Sequence, residues 1–165
     1  MCLINSLQLF LINLDTIWEE PQIILFQKVF MPISEKITIN ASSDDVWSHI
    51  RTLENAEQYI PVVTKSEVKG TGLGTTRTCD IQMGEQSFQL METLVKLDDS
   101  QKSLTISIDN APPPMKGLLI DFSIQGNNTA ELQISTQSEQ TPENAKMIQG
   151  IFSMICSGLK EFHEK

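Results

Sequence analysis

Between residues 62 and 137 the chain is interrupted five times by short turn signals. They fall at "GTGLG", at Gly84-Glu85, from Asp98 to Gln101, from Asn110 to Pro114 and at Gly126-Asn127-Asn128. Six strand-length stretches fit around these breaks, and the connections are too short to hold a crossover helix. The strands are therefore expected to be mostly antiparallel, and the sheet a curved meander.

The flanks complete the plan. In "EKITINA", Ile37, Ile39 and Ala41 alternate with Lys36, Thr38 and Asn40, which is the period of a strand with one buried face and makes the total seven. Ser42 or Ser43 then offers an N-cap hydroxyl, Asp44 and Asp45 suit the positive end of a helix, and Val46, Trp47 and Ile50 supply its apolar side. "TLENAEQYIP" reads as a second short helical piece through Glu57, halted by the restriction Pro61 places on Ile60. At the far end Thr141 caps, Pro142 takes the first helical position and Glu143 the first turn of a long helix. Its apolar stripe, Ile148, Ile151, Phe152, Ile155, Leu159 and Phe162, needs an apolar partner, and the concave face of the sheet is the one at hand.

The first thirty residues fit this plan less well. They are rich in Leu, Ile and Phe, yet Asn5, Asn13, Asp15, Glu19 and Glu20 interrupt them before an apolar run reaches the length of about 18 residues that a membrane span needs. No basic residue precedes Lys28, so the start of a signal peptide is missing too. Regular strand and helix signals begin at Met31. The domain is expected over residues 31–165, with residues 1–30 either an upstream-start artefact or a loosely packed extension; an amphipathic helix on the domain or on a membrane surface is the other reading.

Composition removes several functions. At 165 residues one core is the default. Twelve Lys and Arg against 21 Asp and Glu, with the basic residues scattered, give nothing that could follow a phosphate backbone, so nucleic acid is not an expected partner. The net charge of -9 reads as solubility. Cys2, Cys79 and Cys156 are too few and too far apart for a disulfide framework or a zinc pair, which suits a reducing, cytoplasmic compartment. His49 and His163 each stand without a second ligand at metal spacing, so no metal or other cofactor is expected.

Gly70, Gly72 and Gly74 raise the question of a phosphate loop. A dinucleotide fingerprint needs G-x-G-x-x-G opening a helix, whereas the third glycine position here is Thr75 and "TTRTCDIQM" alternates as a strand. The glycines fit a left-handed or bulged hairpin turn instead. The same alternation puts Arg77 in phase with Cys79, Ile81 and Met83, and puts Glu92 in phase with Phe88, Leu90 and Leu94 on the next strand. Either the two charges face inward as a pair, or a bulge or register shift turns one of them to solvent. An inward pair survives only with solvent or further hydrogen bonds, which argues for a cavity rather than a filled core.

The run from "ITINASSDDVWSHI" through Tyr59, Pro61 and "GTGLGTTRT" to "METLVKLDD" resembles the START-like, SRPBCC superfamily in its polyketide cyclase/dehydrase and lipid-transport branch, over about residues 33 to 163. The resemblance implies an α+β helix-grip fold: a curved seven-stranded antiparallel sheet wrapped around a long C-terminal helix, two short helices after strand one, and a cavity between. By position it implies a cavity wall of Tyr59, Arg77, Cys79, Ile81, Phe88, Leu90, Glu92, Ile106 and Ile108, with Phe122 and Ile124 deeper and Met147, Ile151 and Ile155 closing it. Each aliphatic or Met on that wall has plain core as its other reading. The resemblance also places Pro112 to Pro114 in a loop at the mouth of the cavity, as a gate or a rigid turn.

Three functions are compatible with these residues. The first is a carrier or sensor for a small hydrophobic molecule, a lipid, quinone or polyketide-like compound, with Arg77 and Glu92 orienting its polar end. The second is a cyclase or dehydratase with Glu92 as general base, Arg77 steadying an enolate and Tyr59 as proton donor; no histidine falls in the expected pocket to help. The third is a protein-binding module of the co-chaperone kind, which an exposed apolar patch outside the cavity would favour. No membrane-spanning segment is expected.

Overall fold

The computed structural model describes residues 29–165. Strand β1 (Val29–Ile39) is followed by helix α1 (Ser43–Ile50) and a single 3-10 turn (Ala56–Gln58). Then come β2 (Val63–Lys69), β3 (Thr76–Met83), β4 (Gln86–Asp98), β5 (Ser103–Asn110), β6 (Leu119–Gln125) and β7 (Ala130–Gln140), and helix α2 (Pro142–His163) ends the fold. The sheet order is β1-β7-β6-β5-β4-β3-β2, antiparallel at every step. Six consecutive strands are the expected meander, and β1 adds itself beside β7. This is the helix-grip architecture.

The caps fall where the sequence places them. Ser42 Oγ accepts from the Asp45 amide at 3.1 Å, and Thr141 Oγ1 accepts from the Asn144 amide at 3.2 Å with Pro142 just inside α2. Two elements differ from expectation. β1 begins at Val29 and ends at Ile39, instead of covering Glu35 to Ala41, so its ladder with β7 includes two residues ahead of the expected boundary at Met31. The expectation for residues 1–28 lies outside the described residues. The second helical piece shrinks to one 3-10 turn because Leu53 (φ 60°) and Asn55 (φ 56°) adopt left-handed backbone, which a continuous helix cannot contain.

Alternation produces the core. In β3, Arg77, Cys79 and Ile81 are buried in turn, and in β4 Glu92 and Leu94 are. Leu104, Ile106 and Ile108 of β5 meet Ile148, Phe152, Ile155 and Leu159 of α2 in the same cluster. α2 packs along β1 and β7. The far side of the concave face is instead roofed by the chain between α1 and β2. α2 crosses that roof closely: a Cβ on Gly158 would lie 1.8 Å from the Tyr59 carbonyl oxygen, so no other residue lets the helix sit there.

Candidate functional site

The glycine loop opens a strand, β3, and not a helix. Gly70, Gly72 and Gly74 all have positive φ, and the loop they form turns β2 into β3. Its amides serve the sheet: Gly74 N–H donates to Leu94 O at 2.9 Å, and Leu94 N–H returns a bond to Thr75 O at 2.8 Å. What the turn does for the site is to set the phase of β3.

That phase brings Arg77 directly opposite Glu92, within a β3–β4 register that runs unbroken from Thr76↔Thr93 to Met83↔Gln86. The bulges of β4 lie on its other edge, against β5, and leave this pairing intact. Arg77 Nε donates to Glu92 Oε2 at 2.5 Å, and the two side chains are 5% and 6% exposed. Arg77 Nη1 also donates to the Tyr59 hydroxyl at 3.2 Å and to Leu53 O at 3.3 Å. Burial pushes the guanidinium down, but Glu92 and then Tyr59 push it up by more, so it stays charged. The Tyr59 phenol is pushed up by burial, against the pull of Arg77, and stays protonated.

This charged group lines a cavity of about 100 Å³ between the sheet, α2 and the roof. Cys79, Ile81 and Met83 from β3, Phe88 and Leu90 from β4, Leu104, Ile106 and Ile108 from β5 and Ile120 and Phe122 from β6 form its floor. Ile50, Leu53, Tyr59, Ile60, Val62 and Val63 roof it, Ile151, Met154, Ile155 and Leu159 of α2 close one flank, and Met115, just past the three prolines, closes another. Burial raises the Cys79 thiol to about 11, so it sits in this wall as an unreactive apolar group.

Of the residues expected in the wall, Tyr59, Arg77, Cys79, Ile81, Phe88, Leu90, Glu92, Ile106, Ile108, Phe122, Ile151 and Ile155 line the cavity. Two expected wall residues do not. Ile124 is buried but sits toward the end of β6, opposite Leu132 of β7, in packed core. Met147 is 51% exposed, because one turn before Ile151 on that flank of α2 the helix has passed the cavity's end.

A further group, outside the expected wall, stands behind Tyr59. His49 packs edge-on to the Tyr59 ring with centroids 5.7 Å apart, and lies 4.4 Å from Phe162 and 5.5 Å from His163. Both imidazole Nε2 atoms are buried without a hydrogen-bond partner among the described residues. Burial holds both histidines below their ordinary pKa, further helped at His163 by His49 and opposed by Asp45. The signal available was spacing: His163 follows Leu159 by one helical turn, on the apolar stripe.

A family model described as polyketide cyclase / dehydrase and lipid transport matches residues 32–136. The chain belongs to this family. Solved structures repeat its fold. An uncharacterised protein from Bacillus thuringiensis superposes with a TM-score of 0.70 at 21% identity, covering 82% of this chain and 100% of that one. An aromatase/cyclase from Streptomyces sp. R1128 gives 0.67 at 11% identity, over 82% of this family member and 94% of its own length. Norcoclaurine synthase from Thalictrum flavum, solved with dopamine and hydroxybenzaldehyde, gives 0.60 at 18% identity over 81% and 86%. At these identities the likeness is one of fold.

Proposed function

We propose that this family member binds a small hydrophobic molecule in the cavity between its sheet and α2, as a cytoplasmic carrier or sensor, with Arg77 and Glu92 orienting the ligand's polar end. The observation that carries this reading is the contrast within one enclosure: walls of aliphatic, Met and Phe side chains, and a buried ion pair set among them. A chain selected for stability alone gains little from such a pair, since apolar residues of similar volume stabilise at least as well. The volume favours the small end of the expected ligands over a long lipid. Among the described residues no helix is long and apolar enough to cross a membrane.

The cyclase or dehydratase reading is less well supported. Glu92 Oε2 is committed to Arg77, Tyr59 is held against the same guanidinium, and the histidines stand behind the wall rather than in it. The protein-binding reading has scattered exposed side chains to draw on, Leu73, Val95 and Leu119, and the groove beside the first two is edged by Lys96, Asp98 and Asp121.

A thermal-shift panel of small apolar compounds tests the proposal, because a ligand that binds only the folded state raises the melting temperature with concentration. The wild-type protein is expected to respond, and Ile151→Trp, which fills the cavity from α2, is expected to abolish the response. A panel without effect on the wild type, or a shift that survives Ile151→Trp, contradicts the proposal.

A further inference from the structure

The chemistry of the ion pair, together with the size of the enclosure, says more about the ligand; the step rests on the cavity being a binding site. Arg77 and Glu92 cancel each other's charge, and the enclosure around them is apolar. A ligand carboxylate set there would add one uncompensated negative charge beside Glu92, in a medium where such a charge is costly. The hydrogen-bonding capacity left over is specific. Arg77 spends Nε on Glu92 and Nη1 on Leu53 and Tyr59, so Nη2 has no partner among the described residues. Glu92 spends Oε2, and Oε1 has none. The Tyr59 oxygen accepts from Arg77, while its own proton is given to no described residue.

Two donors and one acceptor are therefore left unspent on residues that line the cavity. A hydroxyl answers both kinds, accepting from Arg77 or Tyr59 while donating to Glu92; a carbonyl answers only the donors, and a carboxylate opposes the acceptor. Size narrows the ligand further. A cavity of about 100 Å³ is below the several hundred Å³ of most drug-sized sites and near the roughly 150 Å³ void that accepts one benzene ring.

We infer that the cavity takes a neutral single-ring compound carrying a hydroxyl, a phenol in chemical class, and discriminates against carboxylates and long chains. The ring lies among Ile106, Ile108 and Ile155, and the hydroxyl reaches Arg77, Tyr59 and Glu92.

Calorimetric titration of the full chain at pH 7.5 with p-cresol, toluene, 4-methylbenzoate and 1-decanol tests this. The inference requires p-cresol to bind at least tenfold more tightly than toluene and at least tenfold more tightly than each of the other two. In Arg77→Met/Glu92→Met, which removes both charges together, the preference for p-cresol over toluene is expected to vanish while toluene still binds. If that variant does not fold, the order of the four probes on the wild type decides alone. Toluene binding as tightly as p-cresol, or 4-methylbenzoate or decanol binding more tightly, overturns the inference and leaves the cavity reading standing. Absence of binding by all four overturns the inference, and the broader thermal-shift panel then decides the cavity reading.

Discussion

At the scale of single residues, the fold depends on a charged pair and a glycine with opposite visibility in the sequence. Arg77 and Glu92 could be found by phase alone, because each shares its parity with apolar neighbours on its own strand, and the unbroken β3–β4 register turns that parity into contact. Removing one charge leaves the other buried and unpaired, so Arg77→Met or Glu92→Gln is expected to destabilise by about 3–5 kcal/mol. Arg77→Met/Glu92→Met should recover most of that loss in urea denaturation; equal losses in single and double variants would mean the pair is not coupled. Gly158 was invisible by comparison, since a glycine on a helix says nothing about which carbonyl will approach it. Gly158→Ala meets the Tyr59 oxygen at 1.8 Å, so it should cost about 1–3 kcal/mol. An unchanged urea midpoint would show that α2 does not seat on the Tyr59 segment as described.

At the scale of elements, strands and caps were legible because turn residues and cap residues act locally. Every expected break between β2 and β7 is a connection in the structure, and Ser42 and Thr141 cap as their positions imply. Boundaries set by partners were not legible. β1 runs back to Val29 because β7 offers a ladder as far as Gln140, and the helical piece before β2 collapses because left-handed Leu53 and Asn55 redirect the chain toward Arg77. The contact of α1 with the end of α2 was equally hidden: His49 and His163 are 114 residues apart in sequence and meet only because both helices lie over the same roof. This contact makes stability depend on pH. Both histidines titrate lower in the folded state than in the unfolded one, so the unfolded chain binds more protons around and below the ordinary histidine pKa of about 6.5. Stability is therefore fully present above that value and is lost as pH falls through it. The melting temperature should decline between pH 7.5 and 5.5, and His49→Gln/His163→Gln should flatten the decline. A double variant that follows the wild-type profile would remove the histidines from the account.

At the scale of the whole molecule, the cavity follows from where α2 lies. The helix covers β1 and β7 closely, so the concave face of β3 to β5 is left for the Ile50–Val63 roof and the flank of α2 to close, and they meet around a space instead of filling it. The element order and the inward charges made such an enclosure foreseeable, whereas its volume depends on the rotamers of Phe88, Phe122, Met115 and Met154, which no periodicity encodes. What decides the function is whether this space holds a small hydrophobic molecule. Native mass spectrometry of the protein purified gently from its own cells, followed by denaturing extraction, tests it most directly. A stoichiometric adduct is expected, released on denaturation and identified as a small, mainly apolar compound. A clean apo mass from the cell, together with no response to any apolar compound in the thermal-shift panel, would contradict it.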